Sequence, residues 1–321
     1  MQRKIVAALA ALTDAHQKKI REAAEAHGFV LEVYPCAQAA VPYVADAEII
    51  LSNLPEPARH APLLRWFCAS NAGVEPFLKP GVFASRDAVL SNSSGAYGVT
   101  IAEHIIMVTL EMMRRQAEYN KIVADRAWKR DLPIRSIKNS RVTLVGTGDI
   151  GSEAVKRLRA FGPAGVTGVN RRGANPGNLY DRIVTIDAID TVLPETDLLI
   201  ISLPGTPETA GLISAERIAL LPRDAFLVNV GRGSVLDQEA LVKALREGRL
   251  AGAALDVFTQ EPPAADDPVW DCPGLLFTPH IAGNTTLPYT LDRIVDLFLE
   301  DFENYCSGRP LKRMIDRSRG Y

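Results

Sequence analysis

A glycine-rich turn late in the chain constrains the fold more than any other feature. The apolar run Val142-Thr143-Leu144-Val145 is followed by Gly146-Thr147-Gly148-Asp149-Ile150-Gly151, and Ile150, Ala154, Val155 and Leu158 then recur at helical spacing. Strand, G-x-G-x-x-G and helix is the layout of a dinucleotide-binding βαβ start. The first glycine permits the tight turn, the second lets backbone approach a pyrophosphate, and the third lets helix and strand pack closely. The helix N-terminus offers unpaired N–H groups and the positive end of its dipole. Gly146, Gly148, Asp149, Ile150 and Gly151 are therefore candidate cofactor contacts. Residues 1–145 precede the turn, so another structure is built first.

A chain of 321 residues fits about two domains. Apolar residues make up 47% and charged residues 23%, an ordinary globular balance. The net charge of −2 implies no strongly basic surface for nucleic acid. Cys36, Cys68, Cys272 and Cys306 have neither disulfide nor metal spacing and read as free thiols in a reducing, cytoplasmic compartment. Met1–Lys4 followed by Ile5–Leu12 superficially resembles a signal peptide. It reads instead as a buried first strand leading to a helix. No apolar run reaches the length of about 18 residues needed to span a bilayer.

Apolar runs alternate with helical patterns from the start. Strands are expected at Lys4–Ala8, Phe29–Tyr34, Glu48–Leu51, Arg65–Ala69 and Val89–Leu90, with a helix over Asp14–His27. Val99–Arg115 reads as a long buried helix. A second series follows at Val142–Gly146, Gly165–Val169, Leu198–Leu203, Phe226–Val230, Gly252–Val257 and Leu275–Thr278. Six strands complete a doubly wound sheet. A last helix runs from about Leu287 to Tyr305, where the chain can return to the first domain. The expected fold is α/β: a Rossmann-type doubly wound parallel sheet inserted into a smaller flavodoxin-like α/β substrate domain. The boundaries are 1–98 and 287–321 for the substrate domain and 99–286 for the nucleotide domain, with the two crossings forming a hinge over a cleft.

The end of the second nucleotide-domain strand governs cofactor choice. An acidic residue about 20 positions past the glycines would bind the ribose 2′-OH of NAD. Asn170-Arg171-Arg172 stands there instead. Arginine suits a 2′-phosphate, so NADP(H) is preferred and NAD(H) possible. Asp181 lies too far on to substitute.

Three polar residues follow later strands of the same series: Arg232 in Asn229–Gly233, Glu261 before Pro262-Pro263, and His280 after Thr278-Pro279. Singly, each has a bland alternative as a solvated or packing residue. Together they suit hydride transfer to a 2-keto acid. The arginine grips the carboxylate and polarises the keto oxygen. The histidine donates or removes the proton on that oxygen, and the glutamate favours its imidazolium form. His104 beside Glu103 lacks the H-E-x-x-H spacing of a zinc site, so no metal is expected. It reads as packing or interface. His16, His27 and His60 read as surface residues.

With these residues in place, the chain resembles the D-isomer-specific 2-hydroxyacid dehydrogenase family, which includes glyoxylate/hydroxypyruvate reductases, phosphoglycerate dehydrogenase and D-lactate dehydrogenase. The resemblance rests on Gly146–Gly151, Ser202–Thr209, Asn229–Gly233, Ala254–Phe258 with Glu261-Pro262, Thr278–Gly283, Asn71–Val74 and Ala102-Glu103-His104. It implies a catalytic set of Arg232, Glu261 and His280. It implies that Asp256 lies near the nicotinamide, that Leu203, Pro204 and Thr209 run along the cofactor, and that Val230, Gly231 and Gly283 border it. Ala72 and Gly73 are implied to offer backbone N–H groups to the substrate carboxylate. A homodimer through the nucleotide domain, including the segment around Trp128, is implied as well. Asn170 departs from the acidic residue of many members.

The leading reading is an NADP(H)-preferring reductase of small 2-keto acids. The alternative is an NAD(P)-sensing binding protein or corepressor on the same scaffold, since fold does not guarantee activity. A formate dehydrogenase is disfavoured by Glu261, where that branch resembles Gln.

Overall fold

Strands buried on both faces read as continuous apolar runs, and these runs build two all-parallel sheets. The computed structural model describes residues 2–317. Its packing divides the chain into two units, Met1–Tyr97 with Asn284–Tyr321, and Gly98–Gly283.

The first unit holds β1 (Arg3–Ala8), β2 (Phe29–Tyr34), β3 (Ile49–Ser52), β4 (Trp66–Ala69) and β5 (Val89–Ser91) in the order β2-β1-β3-β4-β5. This is the flavodoxin-like order expected from the sequence. Alternate residues feed two cores. Ile5, Ala7, Ile49, Leu51, Trp66 and Cys68 pack with α1 (Asp14–Ala26) and the C-terminal helix Pro288–Cys306. Val6, Ala8, Ile50, Phe67 and Ala69 line the opposite face, near the short α2 (Ala37–Ala40). Trp66 stacks on Phe298 at 5.2 Å and donates Nε1–H to Ser91 Oγ at 2.8 Å. His16 is not the surface residue its sequence context suggests. Its ring caps the start of α1 and pairs with Asp292 at 2.7 Å, leaving its side chain 11% exposed.

The second unit opens with α3 (Gly98–Met113), which a left-handed Arg115 separates from α4 (Gln116–Ala124). The helix is thus shorter than Val99–Arg115 suggests at its C-terminal end. Seven strands follow: β6 (Arg141–Val145), β7 (Gly165–Asn170), β8 (Arg182–Thr185), β9 (Leu198–Ile201), β10 (Phe226–Asn229), β11 (Gly252–Leu255) and β12 (Leu275–Phe277). Their order is β12-β11-β10-β9-β6-β7-β8. The sequence reading of six strands omits β8. That strand is an edge strand with no fully buried residue, so it lacks the apolar run that reveals the others. Helices α5 (Asp149–Leu158), α6 (Ala215–Leu220) and α7 (Gln238–Arg246) complete the unit. Strand order reverses between β6 and β9, the switch point of a doubly wound sheet. Among the described residues, no helix is long and apolar enough to cross a membrane.

Candidate active site

The carboxyl ends of β6, β7, β9, β10, β11 and β12 lie along one edge of the second sheet, because every pairing is parallel. Each candidate cofactor and catalytic residue of this unit follows one of those ends.

The glycine-rich turn leaves β6 through Gly146, whose φ of +107° belongs to the left-handed side that favours glycine. A Cβ on Gly151 would stand 2.2 Å from the Gly146 carbonyl oxygen, so helix and strand pack closely there. Gly148 differs: a Cβ there would meet nothing within 4 Å. The second glycine thus borders open space on its side-chain side, which leaves room for the close approach of a pyrophosphate. Asp149 and Ile150 form the first turn of α5.

Asn170 ends β7 and shapes the loop after it. Its Nδ2 donates to Thr147 Oγ1 and to Ala174 O, both at 2.8 Å, and its Oδ1 accepts from Arg172 N at 3.0 Å. Arg171 and Arg172 are exposed on that loop. Asp181 is committed elsewhere, accepting from Val166 N at 2.7 Å and pairing with Arg159 at 2.9 Å. The Arg159 guanidinium holds its carboxyl below the usual range, against burial.

Leu203 and Pro204 follow β9. Thr209 is buried and shapes their loop: its hydroxyl donates to Pro204 O at 2.6 Å and accepts from Thr206 N at 2.9 Å. After β10, buried Val230 leads into Gly231 and Arg232. The Asn229 amide, which the sequence did not single out, organises this turn by accepting from Gly231 N at 3.0 Å and donating to Arg232 O at 3.1 Å. A Cβ on Gly231 would lie 2.5 Å from Leu203 O, so the loops after β9 and β10 touch.

His280 and Glu261 meet directly. Glu261 Oε2 lies 2.7 Å from His280 Nδ1, and Oε1 accepts from Phe258 N at 2.9 Å. His280 itself has φ +52°, a left-handed conformation uncommon for a non-glycine residue. Asp256, only 2% exposed, holds the loop that carries it. Its carboxylate accepts from Thr278 Oγ1 at 2.7 Å and from Ile281 N and Ala282 N, both at 2.9 Å, while its carbonyl accepts from His280 N at 2.9 Å. Gly283 closes the loop.

His104 extends this network from α3, its Nε2 standing 3.3 Å from Thr278 Oγ1. Burial pushes its imidazole below the ordinary value, with Asp256 pulling the other way. A neutral ring donating from Nε2 fits, because the Thr278 proton is already spent on Asp256. The sequence reading of His104 as packing or interface does not include this contact.

Ala72 and Gly73 belong to the first unit, in the loop after β4. Ala72 is exposed and Gly73 half-buried.

The sequence profile described as "D-isomer specific 2-hydroxyacid dehydrogenase, NAD binding domain" matches residues 106–282. Glyoxylate/hydroxypyruvate reductase A of Salmonella newport is 32% identical over 70% of each chain. Among solved structures, a D-isomer specific 2-hydroxyacid dehydrogenase family protein from Aeromonas salmonicida has a TM-score of 0.86 and 30% identity, covering 99% of this chain and all of its own. An NADPH-dependent glyoxylate/hydroxypyruvate reductase of Sinorhizobium meliloti, solved with NADP and sulfate, has a TM-score of 0.80 and 25% identity, with full coverage of both chains. Fold and relatives together define an NAD(P)-dependent oxidoreductase with a Rossmann-type nucleotide domain. The chain belongs to the D-isomer specific 2-hydroxyacid dehydrogenase family.

Proposed function

We propose that this protein reduces small 2-keto acids of the glyoxylate and hydroxypyruvate class to D-2-hydroxy acids, with NADPH preferred over NADH. The observation that carries the reading is the 2.7 Å contact between Glu261 and His280 at the edge that also bears the glycine-rich turn. When bound, the nicotinamide supplies the hydride that reaches the keto carbon. His280 Nε2–H gives its proton to the keto oxygen as that oxygen gains charge. Glu261 accepts from Nδ1–H and stabilises the imidazolium that gives up the proton. Arg232 holds the substrate carboxylate and keto oxygen through charge-assisted hydrogen bonds. Ala72 and Gly73 add backbone N–H groups to the carboxylate.

Asp149 and Ile150 with the three glycines of the turn hold the pyrophosphate at the N-terminus of α5. Arg171 and Arg172 take the 2′-phosphate, on a loop whose shape Asn170 fixes. Leu203, Pro204, Thr209, Val230, Gly231, Asp256 and Gly283 border the rest of the cofactor. The relatives named as glyoxylate/hydroxypyruvate reductases, and the solved neighbour holding NADP, support this assignment.

The same reading includes a cytoplasmic homodimer. In the second unit, α4 buries no residue, and Val123 and Trp128 are 72% and 91% exposed. Apolar side chains so exposed favour a covering partner, and a second copy of this chain is the one the family resemblance supplies.

The test is a rate panel of glyoxylate, hydroxypyruvate, pyruvate, phenylpyruvate and branched 2-keto acids, each with NADPH and NADH. Fastest turnover of glyoxylate or hydroxypyruvate with NADPH is expected. Absence of turnover across the panel refutes the proposal.

A further inference from the structure

The last residues of the first unit before α3 hold four successive carbonyls of the loop after β4. Ser93 Oγ donates to Ala69 O at 3.1 Å, and Tyr97 OH donates to Ser70 O at 2.7 Å. Ser93 N donates to Asn71 O at 3.0 Å, and Asn92 Nδ2 donates to Ala72 O at 2.7 Å. Asn92, Ser93 and Tyr97 are all buried. Burial pushes the Tyr97 phenol up to about 12, so it keeps its proton and remains a donor.

Peptide geometry turns this clamp into a statement about the N–H groups. In a trans peptide, C=O and the following N–H point in opposite directions. The peptides of this loop are trans. Tying the Asn71 carbonyl to Ser93 therefore aims the Ala72 N–H away from the clamp. Tying the Ala72 carbonyl to Asn92 does the same for the Gly73 N–H, and Tyr97 does so for the Asn71 N–H. Successive N–H groups set in this way make a concavity suited to an anion. Among the described residues, the N–H groups of Ala72 and Gly73 donate to no backbone carbonyl.

Resting on the function proposed above, we infer that Asn92, Ser93 and Tyr97 are positioning residues for the substrate carboxylate. They do not touch the substrate; they orient the backbone N–H groups that bind it. Asn92 has the larger side-chain effect, because it governs the Gly73 N–H directly. Tyr97 acts one peptide before Ala72, so its effect is smaller. The Ser93 contribution to Ala72 runs through its own backbone N–H and survives side-chain replacement.

The experiment compares wild type with Asn92→Ser and Tyr97→Phe. Serine at 92 keeps a short acceptor for the Ser94 N–H, which now bonds Asn92 Oδ1 at 3.2 Å, but cannot reach Ala72 O. Steady-state KM is measured for glyoxylate and for NADPH, and the Kd of oxalate for the NADP-loaded enzyme is measured by calorimetry. Asn92→Ser is expected to raise the glyoxylate KM and oxalate Kd about tenfold, and Tyr97→Phe about threefold, the scale of one misplaced hydrogen bond. The NADPH KM stays within about twofold. An NADPH KM that rises in step with the glyoxylate KM, or an unchanged oxalate Kd in both variants, overturns the inference. So does a wild type that binds no oxalate. A wild type that binds oxalate yet reduces no 2-keto acid refutes the proposed reaction instead; graded loss of oxalate binding then still supports the positioning role.

Discussion

Replacing Glu261 with Gln isolates what its charge does for His280. The carboxylate serves two donors, Phe258 N at 2.9 Å and His280 Nδ1 at 2.7 Å, through separate oxygens. A glutamine has one acceptor oxygen. If that oxygen keeps the Phe258 N–H, the amide NH₂ faces Nδ1, which must then accept, and the ring loses its charge-assisted partner. A hydrogen bond to a charged group contributes about 1.5–3 kcal/mol. The two side chains are 47% and 36% exposed, so solvent screening favours the lower end of that range. About 1.5 kcal/mol corresponds to roughly a tenfold loss in rate. The loss should fall on the chemical step, since the pair acts where the proton moves. The assay is single-turnover stopped flow, mixing NADPH-loaded enzyme with saturating glyoxylate near neutral pH and following NADPH absorbance. A tenfold slower transient with unchanged NADPH affinity is expected. A transient within about twofold of wild type would falsify the idea that the Glu261 carboxylate supports proton transfer by His280.

Other perturbations separate the remaining roles. His280→Ala should cut turnover by at least about a hundredfold while leaving NADPH affinity unchanged, because the proton donor goes and the nucleotide edge stays; calorimetric titration with NADPH and steady-state rates check both halves. Replacing Arg171 and Arg172 together with Ala should raise the NADPH KM about tenfold or more and barely move the NADH KM, and equal changes would exclude 2′-phosphate recognition. The glycines of the turn should split. Gly151→Ala puts a methyl group 2.2 Å from a carbonyl oxygen and should lower the melting temperature of the free protein, whereas Gly148→Ala points into open space and should spare it while weakening NADPH binding. Matching melting temperatures for these two variants would contradict the division of labour.

The legible part of this molecule is what side-chain pattern encodes. Ile49-Ile50-Leu51 and Leu198–Ile201 are strands buried on both faces, so they read as unbroken apolar runs. Arg182–Thr185 packs at an edge, needs no such run, and was not visible. The same division holds at the site. His280 and Glu261 stand out together with Arg232 because all three follow strands of the nucleotide series, and the missing carboxylate at Asn170 is plain from its place about 20 residues past the glycines. The Phe258 N–H that steadies Glu261 was not legible, nor were the Ile281 and Ala282 N–H groups on Asp256, because backbone donors leave no mark in a sequence. The His104–Thr278 contact spans 174 positions and joins α3 to the loop after β12, so only the folded chain brings it together.

These backbone contacts explain why the test on Glu261 reads charge rather than position. A left-handed conformation at a non-glycine residue persists only where its surroundings over-determine it. His280 is held through its own N–H on the Asp256 carbonyl, and through the next two N–H groups on the Asp256 carboxylate. Thr278 ties the near end of the loop to the same carboxylate, with His104 behind it. The buried Asp256 charge is met by three donors, which is what allows a carboxylate to remain only 2% exposed. None of these bonds involves Glu261. Its loss therefore leaves the His280 backbone in place and changes only what the imidazole meets at Nδ1. The converse change, Asp256→Ala, removes three acceptor contacts at once and should loosen the whole loop. It should lower both thermal stability and turnover, whereas Glu261→Gln should lower turnover with the melting temperature nearly unchanged.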